Sequence, residues 1–175
     1  MRGFWSLIVT QFQGAFSDLT YRTLLLFLIV GLERSPEQQK FLVFLVGLVF
    51  SLPFVFFSMA GGWLADRYSK RSVTIGVKGM EIAVMALALV ALTSGRWGLS
   101  IAALFLMATQ SALFGPSKYG LLPELLPEKR LSWGNGVLEL ATFLAIISGT
   151  VAGGVLAENF RGEQLWSGEI GRAHV

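Results

Sequence analysis

The sequence predicts an all-α membrane protein with five transmembrane helices, and three observations carry that prediction. Of its 175 residues 54% are hydrophobic and only 14% are charged, against roughly 25% charged in an average soluble domain. Five apolar stretches, at about 4–31, 41–64, 72–93, 98–117 and 132–157, each reach the roughly 20 residues that a bilayer crossing needs. Short polar connections separate them, and their bases are unevenly shared. Arg34, Lys40, Arg96 and Arg161 fall on one side, and Arg2, Arg67, Lys70, Arg71, Lys118, Lys129 and Arg130 on the other. The positive-inside rule assigns the richer side to the cytoplasm, so the amino terminus is expected to face in.

Composition also excludes function classes. There is no cysteine, so neither a disulfide framework nor thiolate chemistry is available. The lone histidine, His174, lies at the extreme end, which argues against a histidine metal site or catalytic triad. No cofactor or metal is expected. A net charge of +3, spread over loops rather than one face, is too small to suggest nucleic-acid binding. The apolar run from Phe4 to Val30 is too long for a signal-peptide core of about 7–15 residues and carries Gln11, Gln13, Asp18 and Arg22. It reads as a span that stays in the protein.

In the first span Asp18 sits near the middle, where an acid costs on the order of 2.5–3.5 kcal/mol on insertion scales. Arg22 follows one turn later, so the two can pair on one face. Two readings stand: a self-neutralising ion pair, or an Asp18 that lines a water-filled cavity and meets substrate, ion or proton. The stripe formed by Gln11, Asp18 and Arg22 favours the second. In the second span Pro53 is expected to kink the helix, and Gly61 and Gly62 to let a neighbour approach. Its phenylalanines read as lipid-facing and packing bulk.

The third span places Lys78 and Glu81 three residues apart, as a structural ion pair or a gating element. Gly76, Gly79 and Ala83 make a small-residue edge suited to helix contact. The fourth span is expected to break at Pro116, beside Gly115 and Gly120, with Lys118 at the break. The stretch 121–130 then reads as an amphipathic helix along the membrane surface. The fifth span opens with Trp133-Gly134-Asn135-Gly136, holds Glu139 about two turns in, and closes with Gly149, Gly153 and Gly154 spaced for close backbone packing.

The connection between the second and third spans is Gly61-Gly62-Trp63-Leu64-Ala65-Asp66-Arg67-Tyr68-Ser69-Lys70-Arg71. It resembles the loop signature of the major facilitator superfamily at Gly62, Asp66, Arg67, Lys70 and Arg71, with Ser69 where that family usually has glycine. The resemblance implies the amino-terminal six-helix bundle of such a transporter, and a gating role for these loop residues at the cytoplasmic face. Serine at 69 suggests a less tightly bent turn. Gly149–Gly154 resembles the fifth-span signature of the superfamily's proton antiporters, with Thr150 in place of proline.

Within the superfamily, Gly115-Pro116-Ser117-Lys118-Tyr119-Gly120, Glu124, Asn135-Gly136 and Glu139 resemble bacterial lysophospholipid transporters, as does Asp18, although Leu19 replaces the usual asparagine. That resemblance implies inward flipping of lysophospholipids across the bacterial inner membrane by alternating access. It also implies an acyltransferase and an acyl–acyl-carrier-protein synthetase as partners or fused domains. On this reading Asp18, Arg22, Lys118 and Glu139 are the substrate-binding candidates. Lys118 would hold the phosphate, and Asp18 or Glu139 would meet an amine. Lys118 also reads as an interfacial anchor for anionic lipid, and Glu139 as a partner for polar backbone near Asn135. A transporter of another small solute or drug, and the membrane domain of a fused lipid-remodelling enzyme, stay open as alternatives.

Residues 1–157 are thus expected to form a partial amino-terminal half, and 158–169 a loop towards a missing sixth span. The last six residues, Ile170-Gly171-Arg172-Ala173-His174-Val175, match the translation of a common sequencing-adapter DNA. Adapter read-through in a truncated, inactive gene fragment is the expectation there.

Overall fold

A computed structural model describes residues 1–31 and 35–162, with the side chains of 161 and 162 left aside. The hexapeptide at 170–175, and most of the 158–169 loop, lie outside the described residues. Five long helices follow in order: α1 (Arg2–Val30), α2 (Pro36–Arg67), α3 (Lys70–Thr93), α4 (Trp97–Leu125) and α5 (Leu131–Gly162). A short 3-10 turn, Glu128–Arg130, precedes α5. No strand occurs among the described residues. α2 to α5 are long and apolar enough to cross a membrane. α1 matches them in length at 29 residues, and its less apolar sequence reflects Gln11 and Asp18, both turned into the bundle.

The helix ends follow from local chemistry. Ser35 caps α2 by accepting the Gln38 amide at 3.4 Å, with Pro36 at the first helical position, where its missing N–H costs nothing. Tyr68 and Ser69 are both extended, and Ser69 Oγ accepts the Ser72 amide at 3.1 Å to cap α3. Neither residue has a positive φ. The serine that departs from the family pattern is therefore a helix cap, and the turn does not need glycine. Among the described residues Gly95 alone does, with φ 66° in the α3–α4 link.

Two expectations for α4 are corrected. The helix does not break at Pro116 but runs through Pro116 and Pro123 to Leu125, and no surface helix follows, only the 3-10 turn. The reason lies in α2. Proline removes the amide that would bond the carbonyl four residues back, here that of Ala112. A methyl at Gly61 would lie 3.0 Å from the Ala112 oxygen, so only glycine lets α2 close onto that carbonyl. Neighbouring helices re-satisfy proline-freed backbone in this way within membranes. Gly62, by contrast, faces open space.

α1 packs chiefly along α5, α2 and α3 pack along α4, and α4 crosses α1. The α1–α5 contact is backbone-close. A methyl at Gly149 would meet the Phe16 carbonyl at 2.7 Å, and one at Gly153 the Thr20 carbonyl at 2.6 Å. Gly154 makes only ordinary contact, 3.5 Å to Phe27. The expected small-residue edge of α3 is not used, because Gly76 and Gly79 face open space.

The interior divides into three levels. At the end that carries the α2–α3 loop, Phe4, Leu7, Ile8, Val77, Phe114, Leu122 and Leu138 form one apolar cluster. At the opposite end Tyr21, Leu25, Ile29, Val46, Ala88, Leu104 and Met107 form another. Between them lies a polar layer built from Gln11, Asp18, Lys78, Glu81, Gln110, Ser111 and Thr142. A buried polar group without a partner costs several kcal/mol in an apolar medium, so this level is where chemistry other than packing must be sought.

Candidate functional site

The polar layer is built by four helices. Gln11 of α1 donates to Thr142 Oγ1 of α5 at 2.9 Å. Gln110 Nε2 donates to Ser111 Oγ at 3.0 Å, and Ser111 Oγ donates to Asp18 Oδ2, which ties α4 to α1. On α3 the Lys78 ammonium lies 2.5 Å from Glu81 Oε2 and 5.2 Å from the Phe114 ring centroid. The spacing of Lys78 and Glu81 brings them together within one turn, as the sequence predicted. Asp18 and Glu81 are only 5% and 2% exposed. Each keeps one buried oxygen, Oδ1 and Oε1, without a hydrogen-bond partner.

Asp18 and Arg22 do not pair. Asp18 turns to Ser111 on α4, whereas the Arg22 guanidinium stacks over Phe50 of α2, 4.8 Å from the ring centroid. Arg22 Nε is buried without a hydrogen-bond partner. Residues one turn apart on α1 are thus drawn to different neighbours, because α1 touches both α4 and α2.

A second charged cluster lies nearer the loop end. Tyr119 Oη donates to Glu139 Oε1 at 2.7 Å, joining α4 to α5. The Lys118 ammonium stands 4.9 Å from the Tyr119 ring centroid and within electrostatic reach of Glu139. Lys118 is half-buried, Tyr119 is exposed, and no ion pair involves Lys118 among the described residues. Lys118 and Glu139, predicted from separate spans, do share one site. Asp18 and Arg22 belong to the deeper level.

The loop residues divide in the same way. Lys70 Nζ lies 2.5 Å from Glu124 Oε1 on the last turn of α4. Its stem passes so close to Gly120 that a methyl there would meet Lys70 Cε at 2.6 Å. Arg67 stacks over Trp63, 5.7 Å from the ring centroid. Asp66 and Arg71 are exposed at the surface, and Gly62 packs against nothing.

Sequence reasoning missed several members of these clusters. Gln110 and Ser111 are polar residues inside an apolar span, a signal that was present in the sequence. Gly14 lies one turn before Asp18, and a methyl there would sit 2.7 Å from the Lys78 ammonium. No local pattern announces that role, because it depends on how α3 docks on α1.

Comparisons with known proteins bear on the whole chain. The Major Facilitator Superfamily model matches residues 7–168. The chain is 31% identical over 157 residues to the lysophospholipid transporter LplT of Salmonella arizonae, and equally so to that of Cronobacter sakazakii. Each alignment covers 90% of this chain and 37% of the relative, so the chain spans little more than a third of the proteins it matches. No solved structure matches.

Proposed function

The chain belongs to the major facilitator superfamily, a multi-pass membrane protein, and from that premise we propose that it serves the inward movement of lysophospholipids across a bacterial inner membrane. On this reading the amino terminus faces the cytoplasm and the protein works by alternating access. The observation that carries the proposal is the Lys118–Tyr119–Glu139 cluster, a half-buried base beside an exposed ring and an acid at the edge of apolar helices. A lysophospholipid is a single acyl chain with a phosphate-bearing headgroup. It needs an apolar wall and, beside it, a cation for the phosphate. Lys118 supplies that cation, Glu139 the counter-charge for an amine-bearing headgroup, and Asp18 with Arg22 a deeper station along the path. Asp66, Arg67, Lys70 and Arg71 gate the cytoplasmic face. The names of the relatives point to the same substrate class.

A transporter of another solute is the second reading, and it draws on the Gly149–Gly154 run. The close fit of Gly149 and Gly153 against α1 accounts for those two glycines by packing. An acyltransferase and an acyl–acyl-carrier-protein synthetase are the proposed partners, in cis or in trans, since these residues offer no nucleophile–base constellation for acyl transfer. The test uses full-length protein carrying this sequence, reconstituted in liposomes. Lysophosphatidylethanolamine should be flipped, and Lys118→Ala should slow it at least tenfold at unchanged protein level. Unaltered flipping in that variant refutes the headgroup assignment.

A further inference from the structure

Two acids and one base share the middle of the polar layer, and they are not evenly matched. Glu81 takes the Lys78 ammonium at 2.5 Å. Asp18 receives the Ser111 hydroxyl on Oδ2, with the neutral Gln110 side chain beside it, and its Oδ1 is buried without a hydrogen-bond partner. Yet the ammonium is close by. It rests where a side chain at Gly14 would begin, 2.7 Å from that position. Gly14 and Asp18 are four residues apart, so they lie on the same face of α1 about 6 Å apart along its axis. Both Lys78 and Glu81 are within electrostatic reach of Asp18.

A lysine has four rotatable side-chain bonds and three donors. From a seat at Gly14 its ammonium can address either acid. What holds it on one of them is Glu81, its neighbour at three residues' distance on the same helix, with the Phe114 ring on the other side. We propose that Glu81 is a positioning residue that holds the Lys78 ammonium on the Gly14 seat and away from Asp18, leaving the Asp18 carboxyl unneutralised in the core of the bundle. The other groups facing Asp18 cannot take over that task. α4 contributes the neutral Ser111 and Gln110, and Arg22 on α1 is committed to the Phe50 ring of α2. The inference concerns the charge partner of Asp18 and holds whatever solute is carried.

The test needs no transport. The full-length protein carrying this sequence, purified in detergent, is treated with dicyclohexylcarbodiimide, which modifies carboxyls held in apolar surroundings and spares those locked in an ion pair. Modification is mapped by peptide mass. In the unmodified sequence Asp18 should react and Glu81 should not. In Glu81→Gln the released ammonium turns to Asp18, and its modification should fall at least fivefold. Removing the ammonium as well, in Lys78→Met/Glu81→Gln, should return Asp18 to within twofold of its original reactivity. A merely structural role predicts the opposite sign, because a loosened bundle exposes Asp18 and raises its modification. Lys78→Met alone gives an independent reading, since Glu81 then loses its partner and should become modified alongside Asp18. An unreactive Asp18 in the unmodified sequence, no fall in Glu81→Gln, no recovery in the double variant, or an unmodified Glu81 in Lys78→Met each overturns the proposal.

Discussion

Two ion pairs of equal length lie at different depths in this bundle. Lys70–Glu124 and Lys78–Glu81 both measure 2.5 Å, and in each the lysine passes over a glycine of another helix. Their surroundings differ. The side chains of the first pair are 29% and 52% exposed, and those of the second 19% and 3%. The first joins residues 54 positions apart at the loop end, whereas the second joins one turn of α3 in the interior. Water and ions screen the first, so its attraction is small beside the entropy of holding two long side chains. For the second, the alternative to pairing is an unpaired charge in an apolar core. Equal distances therefore report unequal energies, and burial decides which pair matters.

The comparison breaks most sharply at Lys78. Lys78→Met leaves the Glu81 carboxylate, only 2% exposed, buried without its base, and the expected cost is about 3–5 kcal/mol, read as a lower denaturation midpoint in detergent. Raising the salt concentration should not restore it. A smaller effect is expected at Gly14. Alanine there displaces the flexible end of Lys78, which is sterically cheap, but draws the ammonium off Glu81 inside the core. A loss of about 1–3 kcal/mol, the range for overpacking, is expected in the same melt. Lys70→Ala should cost no more than about 1 kcal/mol, a difference that shrinks towards zero as salt rises. If Lys70→Ala proved as damaging as Lys78→Met and equally indifferent to salt, the ranking by burial would fail.

The loop cluster of Lys118, Tyr119 and Glu139 stands between these extremes. It has the depth of neither pair, and its base has no ion-pair partner among the described residues. The Tyr119–Glu139 hydrogen bond joins α4 to α5 there, while the Lys118 ammonium is left over the Tyr119 ring. A fully exposed base discriminates weakly, and a fully buried one is already satisfied.

Much of this molecule was legible before any coordinates. Interactions confined to one helical turn follow from the helix repeat, so Lys78–Glu81 was readable from its spacing. The helix count followed from length and apolarity, whereas the capping roles of Ser35 and Ser69 emerged only with the structure. Gly149 and Gly153 announced a close helix contact through their own spacing, though not which helix they would meet.

Partners across helices were a different matter. Asp18 and Arg22 obey the same one-turn spacing as many real pairs, yet each found a better neighbour, Ser111 on α4 and Phe50 on α2. Pro116 carried the local signal of a helix end, but Gly61 let α2 cover the carbonyl it released. The glycines at 76 and 79 carried the signal of a contact that no helix makes among the described residues. The cause is common to all of them. In a soluble protein the hydrophobic face of a helix states which side turns inward, but a membrane helix is apolar on nearly every side, so the pattern is silent about rotation. The sequence by itself determined the number and order of the helices and placed Lys78 and Glu81 within one turn of each other. Only tertiary packing, by choosing how each helix is rotated against the next, brought the Lys78 ammonium onto Gly14 and turned Asp18 to Ser111 rather than to Arg22.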